Sequence, residues 1–303
     1  MKIVDSFSPK LITPSTAKKI RPYIWIGPVV LVLFGLLIYP WAWCFWLSFQ
    51  SWSPLKQANP VFVGFANYIS VFTDKIFFAS IMNTLVLMVS SVGISFVLGF
   101  AIALLLTKIE RHRSLVFVLL LIPMMLPQSM VGLMWKFFYH TEYGLFNWIL
   151  RELGGTPVGW LADPKYALLS VIIIEVWINT PFVIMILFAG LQSISIDPYE
   201  AALIDGANSV KRFWHITLPM IKPLIIIVLL FRLMHAIRAF DTVYSLFRSG
   251  GPGRSAQVMG VYLYETYRVT WQLGLSSAIS VILLLLTFTL TLGFSVSMVR
   301  KMN

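Results

Sequence analysis

EAALIDGANSVKRFWHITLPMIKP, residues Glu200 to Pro223, is a long polar interruption between apolar runs, and it has internal order. Glu200-Ala201-Ala202 leads through three residues to Gly206, then through nine to Ile216, then to Leu218-Pro219. Pro223 opens the next apolar run. These residue types describe a short, stiff element. Glu200 to Ile204 are good helix formers, and Pro198 stands before them, where a proline suits a first helical turn. Asp205-Gly206 signals a helix end, because glycine takes left-handed backbone geometry without steric cost. Ala207 to Thr217 can form a second helix, with Val210, Phe213, Trp214 and Thr217 on one stripe. Pro219 and Pro223 are expected to interrupt helical hydrogen bonding. Ala201, Ala202 and Ala207 leave room for another backbone to approach, and Glu200 offers a carboxylate to an Arg or Lys of a partner. A linker that simply packs on its own bundle would use similar residues.

The rest of the chain decides where this segment sits. Of 303 residues, 58% are hydrophobic and 12% charged, with a mean hydropathy of +0.84. A soluble domain carries roughly twice that charged share, so the fold class is an all-α polytopic membrane protein. Apolar runs cover about 24–49, 81–106, 115–138, 167–190, 223–245 and 277–299. Each is long enough to cross roughly 30 Å of hydrocarbon, which gives six expected spans. The first is too long for a signal-peptide core and lacks a small-residue cleavage site. Residues 1–22 form a polar tail, 23–303 a single transmembrane domain, and 198–222 the polar loop between the fourth and fifth runs.

The net charge of +11 follows topology rather than nucleic acid. With the N-terminus in the cytoplasm, the inside segments hold thirteen Lys and Arg, among them Lys18, Arg21, Lys108, Lys211 and Arg300, against eight outside. That bias places both termini, and the Glu200 segment, in the cytoplasm. Cys44 lies in an apolar run and is the sole cysteine, so no intrachain disulfide exists. The chain has no GxxxxGK[ST] loop, no HExxH and no Gly-x-Ser-x-Gly. Its four His make no metal spacing.

Several spans carry polar groups or breaks. Ser91, Ser95, Gly99 and Ala103 repeat at every fourth position, a stripe that suits close helix packing, either within the chain or at a subunit interface. Pro123, Pro127 and Gly132 interrupt the third span, as kinks that line a path or merely serve packing. Outer segment 139–166 is rich in Gly and aromatic residues and suits the interface. Glu175, Trp177 and Asn179 lie in the fourth span. Arg232, His235, Arg238 and, toward its end, Asp241 lie in the fifth. Charges at such depth usually face a cavity or each other. Helical rise puts Glu175 and Arg238 at similar height, so a Glu175–Arg238 pair, or a network around a solute, is expected.

In order and spacing, Glu200–Pro223 resembles the EAA loop of ATP-binding-cassette (ABC) importer permeases. The match includes the Glu, both Ala, the Gly, the Ile, the Leu and the Pro. Residues 21–74, with RPYIWIGP, Tyr39-Pro40, Ser48-Phe49 and Val63-Gly64-x-x-Asn67-Tyr68, resemble the opening of carbohydrate permeases of the maltose and glycerol-phosphate type, with Phe65 in place of Leu. Phe240-Asp241, Tyr244, Gly250-Gly251-Pro252 and Tyr262-x-Tyr264 resemble a later segment of that family, departing at Phe247-Arg248-Ser249.

The resemblance implies a six-span permease subunit of a binding-protein-dependent sugar importer in the cytoplasmic (inner) membrane. It implies a helix-turn-helix coupling loop in which Glu200, Ala201, Ala202, Asp205, Gly206, Ile216, Leu218 and Pro219 engage an ATPase. The expected partners are a second permease, usually a different chain, two ATPase subunits and an extracytoplasmic solute-binding protein. Gly250, Gly251 and Pro252 would meet the binding protein. The chain itself would be non-catalytic and hold no cofactor, with ATP and Mg on the ATPases. Glu175, Trp177, Asn179, His235, Arg238 and Asp241 are the candidate solute contacts. They suit a neutral sugar, and the Arg residues of span five equally leave room for an anionic derivative. Two other classes compete: an autonomous ion-coupled secondary transporter, and a membrane scaffold that moves no solute. Six spans without an evident inverted repeat speak against the first, and the charged interior against the second.

Overall fold

The computed structural model describes the backbone of residues 14–300 and the side chains of Tyr23 and residues 25–296. Most of the expected N-terminal tail, residues 1–13, and the extreme C-terminus, residues 301–303, lie outside the described residues.

The chain is helical almost throughout. Helix α1 (Pro14–Leu33) passes through a widened π turn (Phe34–Ile38) into α2 (Tyr39–Leu47). A two-stranded ribbon follows, with β1 (Gln50–Ser51) antiparallel to β2 (Val61–Phe62). Next come α3 (Ala66–Thr73) and the long α4 (Lys75–Lys108). Helices α5 (Arg113–Met125) and α6 (Gln128–Phe138) stand in the third apolar run, followed by the short α7 (Leu145–Glu152). The fourth run is α8 (Pro164–Gln192). The polar segment contains α9 (Asp197–Ile204) and α10 (Ser209–Arg212), and a second π turn (Phe213–Thr217) carries α10 into α11 (Leu218–Ile237). Then α12 (Asp241–Phe247), α13 (Met259–Tyr264) and α14 (Leu273–Arg300) complete the chain.

Caps explain where the two central helices start. The Asp74 side chain accepts from the Ile76 N–H at 2.8 Å at the head of α4, and Asp163 accepts from the Lys165 N–H at 2.9 Å at the head of α8. Helices α4 and α8 form the centre of the bundle. Ser91, Ser95, Gly99 and Ala103 are all buried. A Cβ on Gly99 would lie 2.7 Å from the Val183 Cβ of α8. Gly99 and the residues around it therefore serve packing within the chain. Two apolar clusters flank this contact. One joins Trp135, Tyr139, Ile174 and Val261, and the other joins Phe100, Val183, Leu187 and Ile221.

Two expectations need correction, and a third is sharpened. The expected interruption of the third span is a sharp bend: α5 and α6 meet at 96°. Pro127 forces the preceding Leu126 into extended backbone, with φ −82° and ψ 137°, and so ends the helix. Among the described residues, five helical stretches are long and apolar enough to cross a membrane, or six if this bent pair is one span. Next, Pro219 and Pro223 do not interrupt the chain. Pro219 falls in the first turn of α11, and Pro223 lies inside that helix. The π turn before Pro219 widens the backbone, with the Leu218 N–H reaching back to the Phe213 carbonyl. Pro40 has the same arrangement, its π turn closed by the Tyr39 N–H on the Phe34 carbonyl. In both places the extra residue relieves the clash of a proline ring with the preceding turn. Finally, the fifth run does not stay helical to 245. It breaks at Arg238–Phe240 and resumes as α12.

Candidate functional site

The polar segment is built on a hard turn. In α9, the Ala207 N–H donates to the Ala202 carbonyl at 2.8 Å and the Gly206 N–H to the Leu203 carbonyl at 3.1 Å. This pair of bonds is a Schellman closure, and it demands left-handed geometry at Gly206, whose φ is +74°. The Asn208 side chain then caps α10 by accepting from the Lys211 N–H at 2.9 Å. The Tyr199 and Thr217 hydroxyls bond at 2.8 Å and tie α9 to the π turn. The sequence reading did not find that tie, since its residues stand eighteen apart.

The outer face of this segment is apolar. Ile204 is 88% exposed and Trp214 58%, and Leu203 and Val210 are also exposed. Glu200, Ala201, Asp205, Gly206 and Pro219 are exposed beside them, while Ala202 and Ile216 are half-buried. Leu218 packs against the core cluster of Phe100 and Val183. The expected single stripe of Val210, Phe213, Trp214 and Thr217 is split. Phe213 stacks inward, 5.8 Å from the Phe100 ring, and Thr217 is buried, whereas Val210 and Trp214 face out. The five-residue π turn changes the angular step that a regular helix would have kept.

A cavity of about 400 Å³ opens between α5, α6, α8 and the C-terminal end of α11. Gln128, Asn179, Arg232, His235 and Arg238 are its polar lining, with Phe182 and Phe231 among its apolar lining. The Gln128 amide and the His235 Nε2 lie 3.1 Å apart. Asn179, His235 and Arg238 are thus brought together as the sequence suggested. Gln128 joins them because the break at Pro127 carries the head of α6 to the cavity. Arg232 joins them too, although it was not among the candidate contacts.

The other candidates lie elsewhere. Glu175 is buried at 3% exposure behind the cavity. Its Oε1 accepts from the Thr242 hydroxyl at 2.6 Å and its Oε2 from the Asn179 amide at 3.1 Å. The expected Glu175–Arg238 pair is not formed. Arg238 caps the end of α11, and its Nε donates to the Met234 carbonyl at 3.4 Å. Trp177 packs beside Trp135 with ring centroids 5.5 Å apart and lines a separate apolar recess. Asp241 is exposed at the first turn of α12.

At the opposite end from the polar segment, Gly251 has φ +79° and starts a tight turn over Pro252–Arg254. Gly250 is buried against Gln257, while Gly251 and Pro252 are half-exposed. Arg254 pairs with Glu265 at 3.2 Å, and Gln257 donates to the same Glu265 oxygen at 2.8 Å. Below them the Tyr262 hydroxyl donates to Asp74 at 2.6 Å. Burial first, then this bond, pushes the Tyr262 phenol up from its ordinary range, so it stays protonated as a donor.

Residues 95–298 match the family described as "Binding-protein-dependent transport system inner membrane component". The chain is 38% identical to the trehalose/maltose transport system permease protein MalF of Thermococcus litoralis, over 90% of each chain. It is 34% identical to the sulfoquinovosyl glycerol transport system permease protein SmoG of Agrobacterium fabrum, over 88% of this chain and 86% of that one. It superposes on a chain of the crystal structure of a bacterial ABC transporter involved in the import of the acidic polysaccharide alginate. The TM-score is 0.83 at 22% identity, covering 94% of this chain and 99% of that chain. At that identity the likeness is one of fold.

Proposed function

Because this chain belongs to the binding-protein-dependent transport system inner membrane component family, we propose that it is the permease subunit of an importer that moves a sugar or sugar derivative. The relatives named for trehalose and maltose and for sulfoquinovosyl glycerol support the carbohydrate class. In this reading the chain breaks no bond. Partner ATPases hydrolyse ATP, a second permease completes the path, and a solute-binding protein delivers the cargo at the Gly250–Pro252 end. Both termini and the Glu200 segment face the cytoplasm, in keeping with the placement of Lys and Arg.

The observation that carries the proposal is the exposed apolar face of Leu203, Ile204, Val210 and Trp214, beside Glu200, on a turn closed by its own hydrogen bonds. It is a rigid projection suited to a groove on a partner. ATP binding shifts the transporter between inward- and outward-open forms only if the ATPases engage this segment differently in the two. An autonomous ion-coupled transporter would have no use for such a projection.

The test is co-purification. This chain is expressed with its candidate partner subunits and purified in mild detergent, beside Gly206→Asp and Glu200→Lys. The ATPase is expected to accompany the wild type and to be weakened by both changes. Binding that ignores both changes, or fails with the partner permease present, would remove the coupling assignment.

A further inference from the structure

A guanidinium carries five N–H donors, accepts nothing and stays charged. Arg232 is only 1% exposed, and its Nε, Nη1 and Nη2 have no hydrogen-bond partner among the described residues. It lines the central cavity of about 400 Å³. The nearby carboxylate does not neutralise it by contact. Glu175 commits one oxygen to Thr242 and the other to Asn179, and it forms no ion pair with Arg232. The remaining polar lining is Gln128, Asn179, His235 and Arg238, and no Asp or Glu faces the cavity. The space is therefore electropositive and supplied with donors. An unpaired buried charge is destabilising, and an oxyanion in fork geometry offsets that better than a neutral hydroxyl does.

We infer that the solute passing through this cavity carries an oxyanion on its sugar ring, a carboxylate, sulfonate or phosphate group, which Arg232 holds and Arg238 approaches from the rim. Phe182 and Phe231, with ring centroids 6.3 Å apart, give the ring an apolar wall. The inference rests on the importer reading and narrows it from sugars in general to acidic ones. The cavity volume suits a small ligand rather than a long chain.

The experiment uses the assembled transporter in lipid nanodiscs without the solute-binding protein, so that only the membrane site is read. Matched pairs are titrated at constant ionic strength: glucose with glucuronate and with glucose 6-phosphate, galactose with galacturonate, and mannose with mannuronate. The readout is the thermal midpoint of the complex against ligand concentration. At least one anionic member is expected to act at a concentration at least about tenfold below its neutral partner. Arg232→Gln is expected to abolish that difference and Arg232→Lys to keep part of it. Arg238→Gln, at an exposed rim position, is expected to weaken it.

Equal action of neutral and anionic members in every pair would overturn the inference, as would a preference that survives Arg232→Gln. So would a complex that Arg232→Gln destabilises while no pair shows a preference, because Arg232 would then answer a carboxylate of the partner permease. If the preference is absent but the ATPase still co-purifies, the acidic-solute inference falls and the importer reading stands. If the ATPase does not co-purify, the importer reading falls first.

Discussion

Single residues in this protein hold their places for reasons that can be tested separately. Asp74 does two tasks: its carboxylate caps α4 through the Ile76 N–H and accepts the Tyr262 hydroxyl. Asp74→Ala is expected to cost about 2–3 kcal/mol, the sum of a lost cap and a buried donor left unpaired. The loss would read as a lower thermal midpoint of the detergent-solubilised chain, and a shift within error would contradict the double role. Glu175 shows the converse case. Thr242→Val takes one of two donors from a buried carboxylate and is expected to cost about 1–3 kcal/mol, whereas Thr242→Ser keeps the donor and costs less. Denaturant midpoints of the two variants would separate loss of the hydroxyl from loss of the methyl group. Gly206 belongs to a third kind. Its would-be Cβ meets nothing, so its need for glycine comes from φ alone. That need was legible in the sequence, because Asp-Gly after a helix-forming run has few other uses.

Elements were harder to read than residues, and the failures share a cause. The pattern of apolar runs located the long helices, since length and hydropathy are summed over about 20 residues and tolerate local error. It did not locate the breaks. Pro127 was visible as an interruption, but nothing in the sequence says that the chain turns by 96° there and brings Gln128 to the cavity. The Glu175–Arg238 pair was drawn from helical rise alone. It failed because α11 ends at Ile237, which leaves Arg238 as a cap rather than an interior side chain. Proline misled in the other direction, since a widened turn before Pro219 keeps the helix whole. At this scale two variants are informative. Gly99→Leu would force a branched side chain into Val183 and is expected to destabilise the α4–α8 contact by more than about 2 kcal/mol, or to abolish expression. Tyr199→Phe removes only the bond to Thr217. It is expected to cost no more than about 1.5 kcal/mol. ATPase co-purification should persist while solute-stimulated ATP turnover falls. Unchanged stimulation would mean that the tie between α9 and the π turn is dispensable for coupling.

At the scale of the whole molecule, the sequence made the membrane class legible but not the wall of the cavity, which is drawn from three separate parts of the chain: the α5–α6 break, α8 and α11. Orientation is the property to test here. Cys44 is the sole cysteine, so Cys44→Ser yields a chain free of thiols. On that background Ser249→Cys and Ser209→Cys place single reporters at exposed positions at opposite ends. A membrane-impermeant maleimide is expected to label Ser249→Cys in intact cells and Ser209→Cys only after permeabilisation, and the reverse pattern would invert the topology. The uninterrupted passage from α10 through the π turn into α11 has a mechanical consequence. Twenty residues separate Arg212 from Arg232, a rise of about 30 Å along one rod. Over that length, a tilt of about 6° at the foot carries the far end about 3 Å, close to one hydrogen-bond length. On the proposed function, a partner ATPase that rocked the foot by so little would make or break a contact to Arg232, and the grip on the cargo and the stroke of the motor would be two ends of one lever.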